Sequence, residues 1–448
     1  MNIILLTLLA LPFSYIPVIN FGDIAGLHAH LSLIYLLVVA SVILSIPRII
    51  HQWASIWHLW PMRLLFAFNL YQTIAILWSS NHLRGLYNAA FVWLMTGFIA
   101  TLIVWYPSLS SKTHRKTWQK GLRIVACVVG VWALLQIFLD AFGFTTLSLL
   151  PSNYQSGVFG VARPTGFALE PQFFASILLI PFCWSLVHTI KTRRLVFALG
   201  LSVSFMLLLL TLSRGALFGA FVGLIIAFAL LIRQWRQVGI VVGSLLGAIV
   251  AACLIIFIAG QVNTRDSISG IDTVRRSINQ LSLGTLDLPL ASPVNPQPTQ
   301  DSSATSSSAS PTGYIAASTD SRLSMTSEAL GLWRSSPHTV LFGLGAGGFG
   351  AALHTKNPLF PVGSVVNNYY VEMLAELGIV GFGLFITFLV LLFTQIIKYR
   401  QWLLLTVLGA LLAQMYFFSG NANIIHIWAI IGCILALIAN HKHIASRV

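Results

Sequence analysis

The sequence predicts an all-α, polytopic membrane protein with about twelve transmembrane helices. Of its 448 residues, 57% are hydrophobic and only 8% are charged, whereas soluble domains carry about 25% charged residues. The mean hydropathy is +0.86, and apolar runs of about 20 residues, the length that crosses a bilayer, recur along the chain. Basic residues are dispersed between these runs, so the net charge of +14 indicates membrane topology and no nucleic-acid partner.

Hydropathy places twelve candidate spans, separated by one medium-sized and one large loop. They cover residues 2–19, 26–46, 63–79, 84–106, 123–142, 171–190, 195–212, 215–232, 238–260, 378–397, 402–419 and 424–441. The predicted organisation is therefore a region 1–260 with nine spans and the loop 143–170, a large loop 261–377, and a region 378–448 with three spans and a short tail. The first run lacks a basic start and a cleavage site, so we expect a span there and no signal peptide.

Charge distribution predicts the orientation of these spans. With the N-terminus in the cytoplasm, most of the 25 basic residues fall on the cytoplasmic side and all 11 acidic residues on the outer side, as the positive-inside rule requires. Both termini are then cytoplasmic. The basic residues that remain outside are almost all arginines, whose planar guanidinium binds phosphate oxygens in pairs; pairing with the outer acidic residues is the alternative.

The large loop 261–377 divides by composition. Residues 288–312 have the Ser-, Pro- and Ala-rich composition of a disordered linker. Residues 321–339 have the pattern of a short amphipathic helix that ends at Pro337, and a glycine-rich turn follows. This turn is not a dinucleotide-binding fingerprint, because no strand–helix unit surrounds it. No cluster of metal ligands is visible in the sequence, and we expect no metal.

Four stretches on the outer side carry the polar residues that suggest chemistry. These stretches are ARPTGFALEPQFFA (162–175), SRG (213–215), Arg322 with the turn VLFGLGAGGFG (340–350), and NNYYVEMLAELGIVGFG (367–383). Their candidate residues are Arg163, Glu170, Arg214, Arg322, Gly343, Gly345, Asn367, Asn368, Gly378 and Gly381. In order, spacing and side, the stretches resemble the O-antigen ligase and O-antigen polymerase superfamily, from about residue 160 to the end of the chain.

The resemblance implies a membrane glycosyltransferase with a GT-C-like fold, in which helices of the large loop cover a cavity for a lipid-linked donor. Members of this superfamily transfer a glycan from a polyprenyl diphosphate to an acceptor hydroxyl, without a metal or cofactor. Arg214 and Arg322 match the arginines that bind the donor diphosphate, Arg163 is a third candidate, and Arg265 is a fourth on position alone. Fixed arginines of this kind would stabilise the charge that develops on the departing diphosphate.

One position departs from the family pattern and leaves the catalytic base open. Asn368, Gly378 and Gly381 fit the ligase motif, but Asn367 stands where that motif has histidine. His338 and His354 in the same loop are candidate substitutes. Glu170 is a further candidate base, since a carboxyl group at an apolar boundary can have a raised pKa; an ion pair with Arg163 is its alternative role.

The predicted function is that of an O-antigen ligase, which transfers a glycan from undecaprenyl diphosphate to a sugar hydroxyl of lipid A–core. The site would face the periplasm from the bacterial inner membrane, with membrane lipids around it. A polymerase that extends a growing polysaccharide is the next alternative, because of Asn367 and the ALEPQ stretch. A protein O-oligosaccharyltransferase and then a polysaccharide transporter or flippase follow. Charges near the two faces and no visible internal repeat disfavour the transporter.

Overall fold

The structure is a computed structural model that describes residues 2–14, 17–24, 27–156, 160–231, 235–264, 268–282, 288, 311–418 and 424–445. Nearly all of the predicted linker 288–312 lies outside the described residues. Arg265 lies outside them as well.

Helices account for most of the described chain. In chain order the α-helices are α1 (Asn2–Ala10), α2 (Leu33–His51), α3 (Trp53–Trp57), α4 (Trp60–Ile74), α5 (His82–Leu109), α6 (Lys112–Ala141), α7 (Thr145–Ser148), α8 (Pro171–Thr192), α9 (Leu195–Leu210), α10 (Arg214–Leu231), α11 (Trp235–Val262), α12 (Gly270–Leu281), α13 (Pro311–Trp333), α14 (Pro337–Phe342), α15 (Phe349–Lys356), α16 (Tyr369–Lys398), α17 (Trp402–Gln414) and α18 (Ile425–Ala445). Short 3-10 turns lie at Leu11–Phe13, Ala75–Trp78, Ser152–Tyr154 and Met415–Phe417.

Seven of the described helices are long and apolar enough to cross a membrane. They are Leu33–His51, His82–Leu109, His114–Ala141, Pro171–Thr192, Arg214–Leu231, Trp235–Val262 and Tyr369–Lys398. Shorter apolar helices at Ile3–Phe13, Leu195–Leu210, Trp402–Phe417 and Ile425–Asn440 fall on four other predicted spans. The helical membrane class is confirmed, whereas the count of about twelve spans stays a prediction.

A two-stranded antiparallel hairpin lies between the first two helices. Strands β1 (Pro17–Ile24) and β2 (Leu27–Ser32) pair with Ile24 opposite Leu27 and Pro17 opposite Ser32. The hairpin occupies the end of the first predicted span and the start of the second. The segment LHAHLS alternates apolar and polar residues, which is the period of a strand, but a hydropathy window averages this alternation away.

Helix α11 shows why these helices suit a bilayer. Its buried face carries Val241, Ser244, Ala248 and Ala252 at helical spacing. Its exposed face is also apolar, with Val250 67% exposed. A helix that is apolar all round is typical of a membrane span, and small residues on the buried face let neighbouring helices approach closely.

The chain divides into two compact units. The first comprises residues 1–126, 222–230 and 325–448, and in it α5 packs against α18, α2 and α4, while α16 packs against α4. Polar side chains link these apolar helices: the Nδ2 of Asn69 donates to the Oγ1 of Thr96 at 2.7 Å. The hydroxyl of Tyr370 donates to the carbonyl of Leu412 at 2.7 Å.

The second unit comprises residues 127–221 and 231–324. Helix α9 packs between α8 and α11, and α12 packs on α11. The hydroxyl of Ser202 donates to the carbonyl of Ser244 at 2.9 Å, and the Nε2 of Gln237 donates to the carbonyl of Ile190 at 3.1 Å. Each bond gives a polar side chain a partner on a neighbouring apolar helix.

The helix predicted over 321–339 is present, but in the structure it begins before residue 321 and ends before residue 339. It is the C-terminal part of α13, which ends at Trp333, and Pro337 opens the next helix instead of closing this one. Ser336 caps α14 through a capping box with Thr339. Proline suits the first helical position because its missing N–H has no partner to lose there.

Candidate functional site

The stretch 163–170 folds into a turn that a single buried glutamine holds. Gln136 on α6 is 1% exposed, and its Oε1 accepts the backbone N–H groups of Thr165 at 3.2 Å and Gly166 at 2.8 Å. Its Nε2 donates to the carbonyl of Ser148 at 3.1 Å. One side chain therefore joins the two ends of the 143–170 loop.

Gly166 is required at its place in this turn. Its φ is +59°, a left-handed conformation, and a Cβ built there would lie 2.7 Å from ring atoms of Phe174. Trp132 donates its indole N–H to the carbonyl of Gly166 at 3.2 Å and stacks on Phe167. The spacing of Arg163, Gly166 and Glu170 thus corresponds to a defined turn packed on α6 and α8.

Arg163 connects this turn to the hairpin between α9 and α10. Its Nε donates to the backbone carbonyl of Thr211 at 3.1 Å, and its guanidinium lies 5.7 Å from the centre of the Tyr154 ring. Leu212 adopts a left-handed φ of 50°, which reverses the chain so that Arg214 begins α10. The R-x-x-G and S-R-G motifs therefore meet in the second unit.

Glu170 lies at the start of α8 and interacts with two of the predicted arginines. It occupies the N-cap position, and its Oε2 accepts a 2.8 Å hydrogen bond from the Nε2 of Gln172. Burial raises the pKa of Glu170, while the hydrogen bond from Gln172 and the positive charges of Arg163 and Arg322 oppose that rise. Arg163 and Arg322 therefore both lie close enough to Glu170 for their charges to act on its carboxyl group.

The second unit also buries an arginine outside the four motif stretches. Arg276 on α12 is 2% exposed, and Asp272, one helical turn earlier, is 1% exposed. Arg275 forms an ion pair with Asp272 at 3.4 Å. The i, i+4 spacing of Asp272 and Arg276 was the available signal, although the same spacing is common on exposed helices.

The motif residues of the large loop form a second group, within the first unit. Asn368 caps α16, because its Oδ1 accepts the backbone N–H groups of Tyr370 at 3.1 Å and Val371 at 3.3 Å. Gly378 interrupts α16 with a φ of 65°, and a Cβ there would collide with the backbone of Leu341. The backbone at the start of the glycine-rich turn therefore lies directly against the kink in α16.

Glu376 fixes the glycine-rich turn to α16. Its Oε2 accepts the N–H of Gly347 at 2.9 Å, and its Oε1 accepts that of Phe349 at 3.4 Å. Gly345 donates its N–H to the carbonyl of Glu376 at 3.0 Å. Gly343 and Gly345 have φ values of +80° and +89°, so both positions favour glycine.

Gly381 serves packing rather than backbone conformation. A Cβ on this residue would lie 2.7 Å from the ring of Tyr71. The hydroxyl of Tyr71 in turn donates to the carbonyl of Leu377 at 2.9 Å. The close packing of α4, the turn and α16 in the first unit thus depends on glycines: Gly343 and Gly345 in the turn, and Gly378 and Gly381 in α16.

A buried ion pair lies beside this turn. The Nη2 of Arg84 is 3.6 Å from the Oε1 of Glu372, with side chains 4% and 10% exposed. The Nη1 of Arg84 also donates to the carbonyl of Ser364 at 3.2 Å. Arg84 thus links the start of α5 to the segment that precedes Asn367, a link between residues far apart in sequence.

The two candidate histidines have different surroundings in the first unit. His338 is exposed, and its ring lies edge-on to Trp78 at 6.1 Å and tilted against Phe342 at 5.4 Å. His354 is half-buried, and its Nδ1 is 2.7 Å from the carbonyl oxygen of Phe360. His354 therefore already has a role in shaping its loop, while His338 presents its ring at the surface.

Together these observations define a multi-pass helical membrane protein. Charges of Arg163 and Arg322 act on Glu170 in the second unit, and a buried Arg84–Glu372 ion pair lies in the first. Among the described residues, no group of three or more His, Cys, Asp or Glu side chains could hold a metal ion.

Residues 197–386 match the family model described as O-Antigen ligase. This match confirms the resemblance to the O-antigen ligase and polymerase superfamily. The matched segment includes Arg214, Arg322 and the motif glycines, and Arg163 and Glu170 precede it. No curated protein matches the chain.

Proposed function

We propose that the protein is an O-antigen ligase that transfers a glycan from undecaprenyl diphosphate to a sugar hydroxyl of lipid A–core. The site faces the periplasm from the bacterial inner membrane, and both chain termini are cytoplasmic. The family match supports a ligase or polymerase type of function. The observation that supports the proposal further is the hydrogen bond from Arg163 to the turn that leads into Arg214, together with the positive charges of Arg163 and Arg322 that act on Glu170.

In this reaction the bond between the anomeric carbon and the diphosphate oxygen breaks, and a bond forms from the acceptor hydroxyl oxygen to the same carbon. The hydroxyl proton passes to a base, and undecaprenyl diphosphate leaves with the bonding electron pair. Negative charge on the diphosphate grows as it departs. Arg163, Arg214 and Arg322 would offset this charge through paired N–H donors at fixed positions, and Arg265 is a fourth candidate.

Glu170 is the base that the described geometry favours over the histidines. It lies with two of the donor-binding candidates, and burial raises its pKa, which brings a carboxylate closer to the strength that proton transfer near neutral pH requires. His338 is a second candidate because its ring is exposed. His354 is a further candidate, since a hydrogen bond from its Nδ1 to the carbonyl of Phe360 leaves Nε2 as the nitrogen that can accept a proton.

Substitution of Arg214 tests the donor-binding role. Arg214→Ala should lower transfer at least about a hundredfold, as loss of one fixed donor to a developing charge does in other enzymes. Arg194 is the matched control, because it flanks the opposite end of α9 and is exposed. Both variants are expressed in a deletion strain and the lipopolysaccharide is resolved by gel. Normal long chains in the Arg214→Ala strain, at wild-type protein level, would contradict this role.

Deletion of the gene separates the ligase from its alternatives. Bare lipid A–core with polymer accumulated on the carrier lipid is the expected result for a ligase. Core capped with a single repeat unit would instead indicate a polymerase, the second candidate, which Asn367 and the ALEPQ stretch favour. An unchanged lipopolysaccharide ladder with missing protein glycans would indicate a protein O-oligosaccharyltransferase. Carrier-linked glycan trapped on the inner leaflet would indicate a flippase.

A further inference from the structure

An apolar cavity of about 140 Å³ lies in the first unit, at the end of α2 and among α3, α4 and α5. Its walls include Trp53, Trp57, Phe66, Trp93 and Ala100. Phe66 meets the two α3 tryptophans and Trp93 edge-on, at ring distances of 4.7–5.9 Å. At roughly 30 Å³ for a group the size of a water molecule, the cavity holds a short length of hydrocarbon chain.

The polar groups that α5 contributes to the walls already have hydrogen-bond partners. Thr96 donates its hydroxyl to the carbonyl of Val92 at 2.9 Å and accepts from Asn69. Trp93 donates its indole N–H to the Oγ1 of Thr73 at 3.0 Å. A sugar or another polar ligand would lose its hydrogen bonds to water on entering, so the cavity suits an apolar chain.

The rim of the cavity carries aromatic rings and an arginine. Trp53 and Trp57 are 42% and 38% exposed, and Trp60 is 61% exposed. Exposed tryptophans at the ends of membrane helices are typical of the headgroup level of a bilayer. Arg63 lies over Trp60 with 4.7 Å from its Cζ to the ring centre, and its Nε donates to the carbonyl of Trp57 at 2.6 Å. This bond fixes the guanidinium at the rim.

The sequence around the cavity is basic. No acidic residue occurs between Asp23 and Asp140, so no carboxylate of α2 to α5 neutralises Arg63. Arg48, the other arginine near this end of α2, lies over Trp105 at 3.6 Å. A single guanidinium at the rim matches the single negative charge of a phosphodiester, whereas a diphosphate carries more charge than one arginine can pair.

We propose that this cavity binds a short length of one acyl chain of an anionic phospholipid, with the phosphate of that lipid on Arg63. The chain fills the space lined by Trp53, Trp57 and Trp93, and the headgroup lies at the level of the exposed rings. The site is separate from the residues assigned to glycan transfer, and the proposal does not depend on that reaction.

The test is lipid titration of the full-length, delipidated protein in detergent, followed by native mass spectrometry. The probes are phosphatidylglycerol and phosphatidylcholine with the same acyl chains. The first phosphatidylglycerol should bind about fivefold more tightly than phosphatidylcholine, the effect of one basic residue at an anionic lipid surface. Arg63→Ala should abolish this preference, and Arg48→Ala, the matched control, should preserve it.

A second variant tests the cavity itself. Ala100→Leu places a larger side chain in the space and should weaken binding of both lipids about tenfold, in protein that remains monodisperse. Equal affinities of the wild type for the two lipids would overturn the proposal. So would equal effects of Arg63→Ala and Arg48→Ala, or unchanged binding in folded Ala100→Leu. Displacement of phosphatidylglycerol by equimolar undecaprenyl phosphate would overturn it in favour of the carrier lipid as occupant.

Discussion

Replacing Arg84 by methionine should be among the most destabilising single changes in the first unit. The substitution keeps much of the side-chain volume but leaves the carboxylate of Glu372 without its cation, and Glu372 is only 10% exposed. At 3.6 Å and an effective dielectric constant of about 20, the attraction between the two charges is about 5 kcal/mol. Desolvation offsets part of it, and loss of one partner of a buried pair costs about 3–5 kcal/mol.

The double variant Arg84→Met with Glu372→Gln should recover part of that loss, because residue 372 then carries no charge, while Glu376 still loses the favourable charge of Arg84. We expect a coupling energy of about 2–3 kcal/mol in the double-mutant cycle. The assay is unfolding in mixed micelles with increasing SDS, from which the free energy of unfolding is obtained for all four proteins. If the double variant loses as much stability as Arg84→Met alone, the coupling energy is still large, because Glu372→Gln then adds no loss of its own.

Lys356 and Glu328 supply the matched control. Their charged groups are closer, at 2.8 Å, but the side chains are 53% and 32% exposed. Water and salt screen such a pair, so its cycle should give less than about 1 kcal/mol. If the Arg84–Glu372 cycle gives no more coupling than the Lys356–Glu328 cycle, burial is not what makes this ion pair strong, and the reasoning fails.

Three further predictions concern the candidate site. Gly166→Ala should lower the free energy of unfolding by about 2–4 kcal/mol, because it adds left-handed strain and a clash with Phe174, and thermal unfolding measures this. Glu170 has a raised pKa when folded, so its contribution to stability is complete below pH 4.5 and falls as pH rises through the folded pKa; Glu170→Gln should flatten this slope. If Glu170 is the base, transfer by the wild type should rise with pH over the same window, and a Glu170→Gln variant of unchanged activity would exclude it. His354→Ala should cost about 1 kcal/mol through the lost bond to Phe360 and leave transfer measurable, whereas complete loss in folded protein would make His354 the base.

The sequence predicted well what depends on local pattern. Most helices fall on predicted spans, because a helix that crosses a bilayer needs a long apolar run. Asn368 precedes α16, and asparagine is a preferred residue at the N-cap of a helix. The hairpin was missed because its alternation is shorter than a hydropathy window. The shift of the 321–339 helix follows from proline, which starts a helix as readily as it ends one.

Contacts between distant parts of the chain could not be predicted in the same way. Gln136 holds residues about 30 positions away, and its own surroundings on α6 give no sign of that role. Arg84 and Glu372 each lie in an ordinary helical context, and only folding brings them together. A single sequence records which residues are polar, but the partner of each is set by packing.

The hydrogen bonds of Glu376 have a consequence for the glycine-rich turn. Successive backbone N–H groups in such turns form a concave nest that attracts anions, as in many phosphate sites. Here the carboxylate of Glu376 accepts the N–H groups of Gly347 and Phe349, so the chain supplies its own anion to the nest. A phosphate could enter only by displacing a covalently tethered competitor. The N–H groups of Gly347 and Phe349 are thus already occupied within the chain, and under the proposed function recognition of an anionic donor would fall to the arginines.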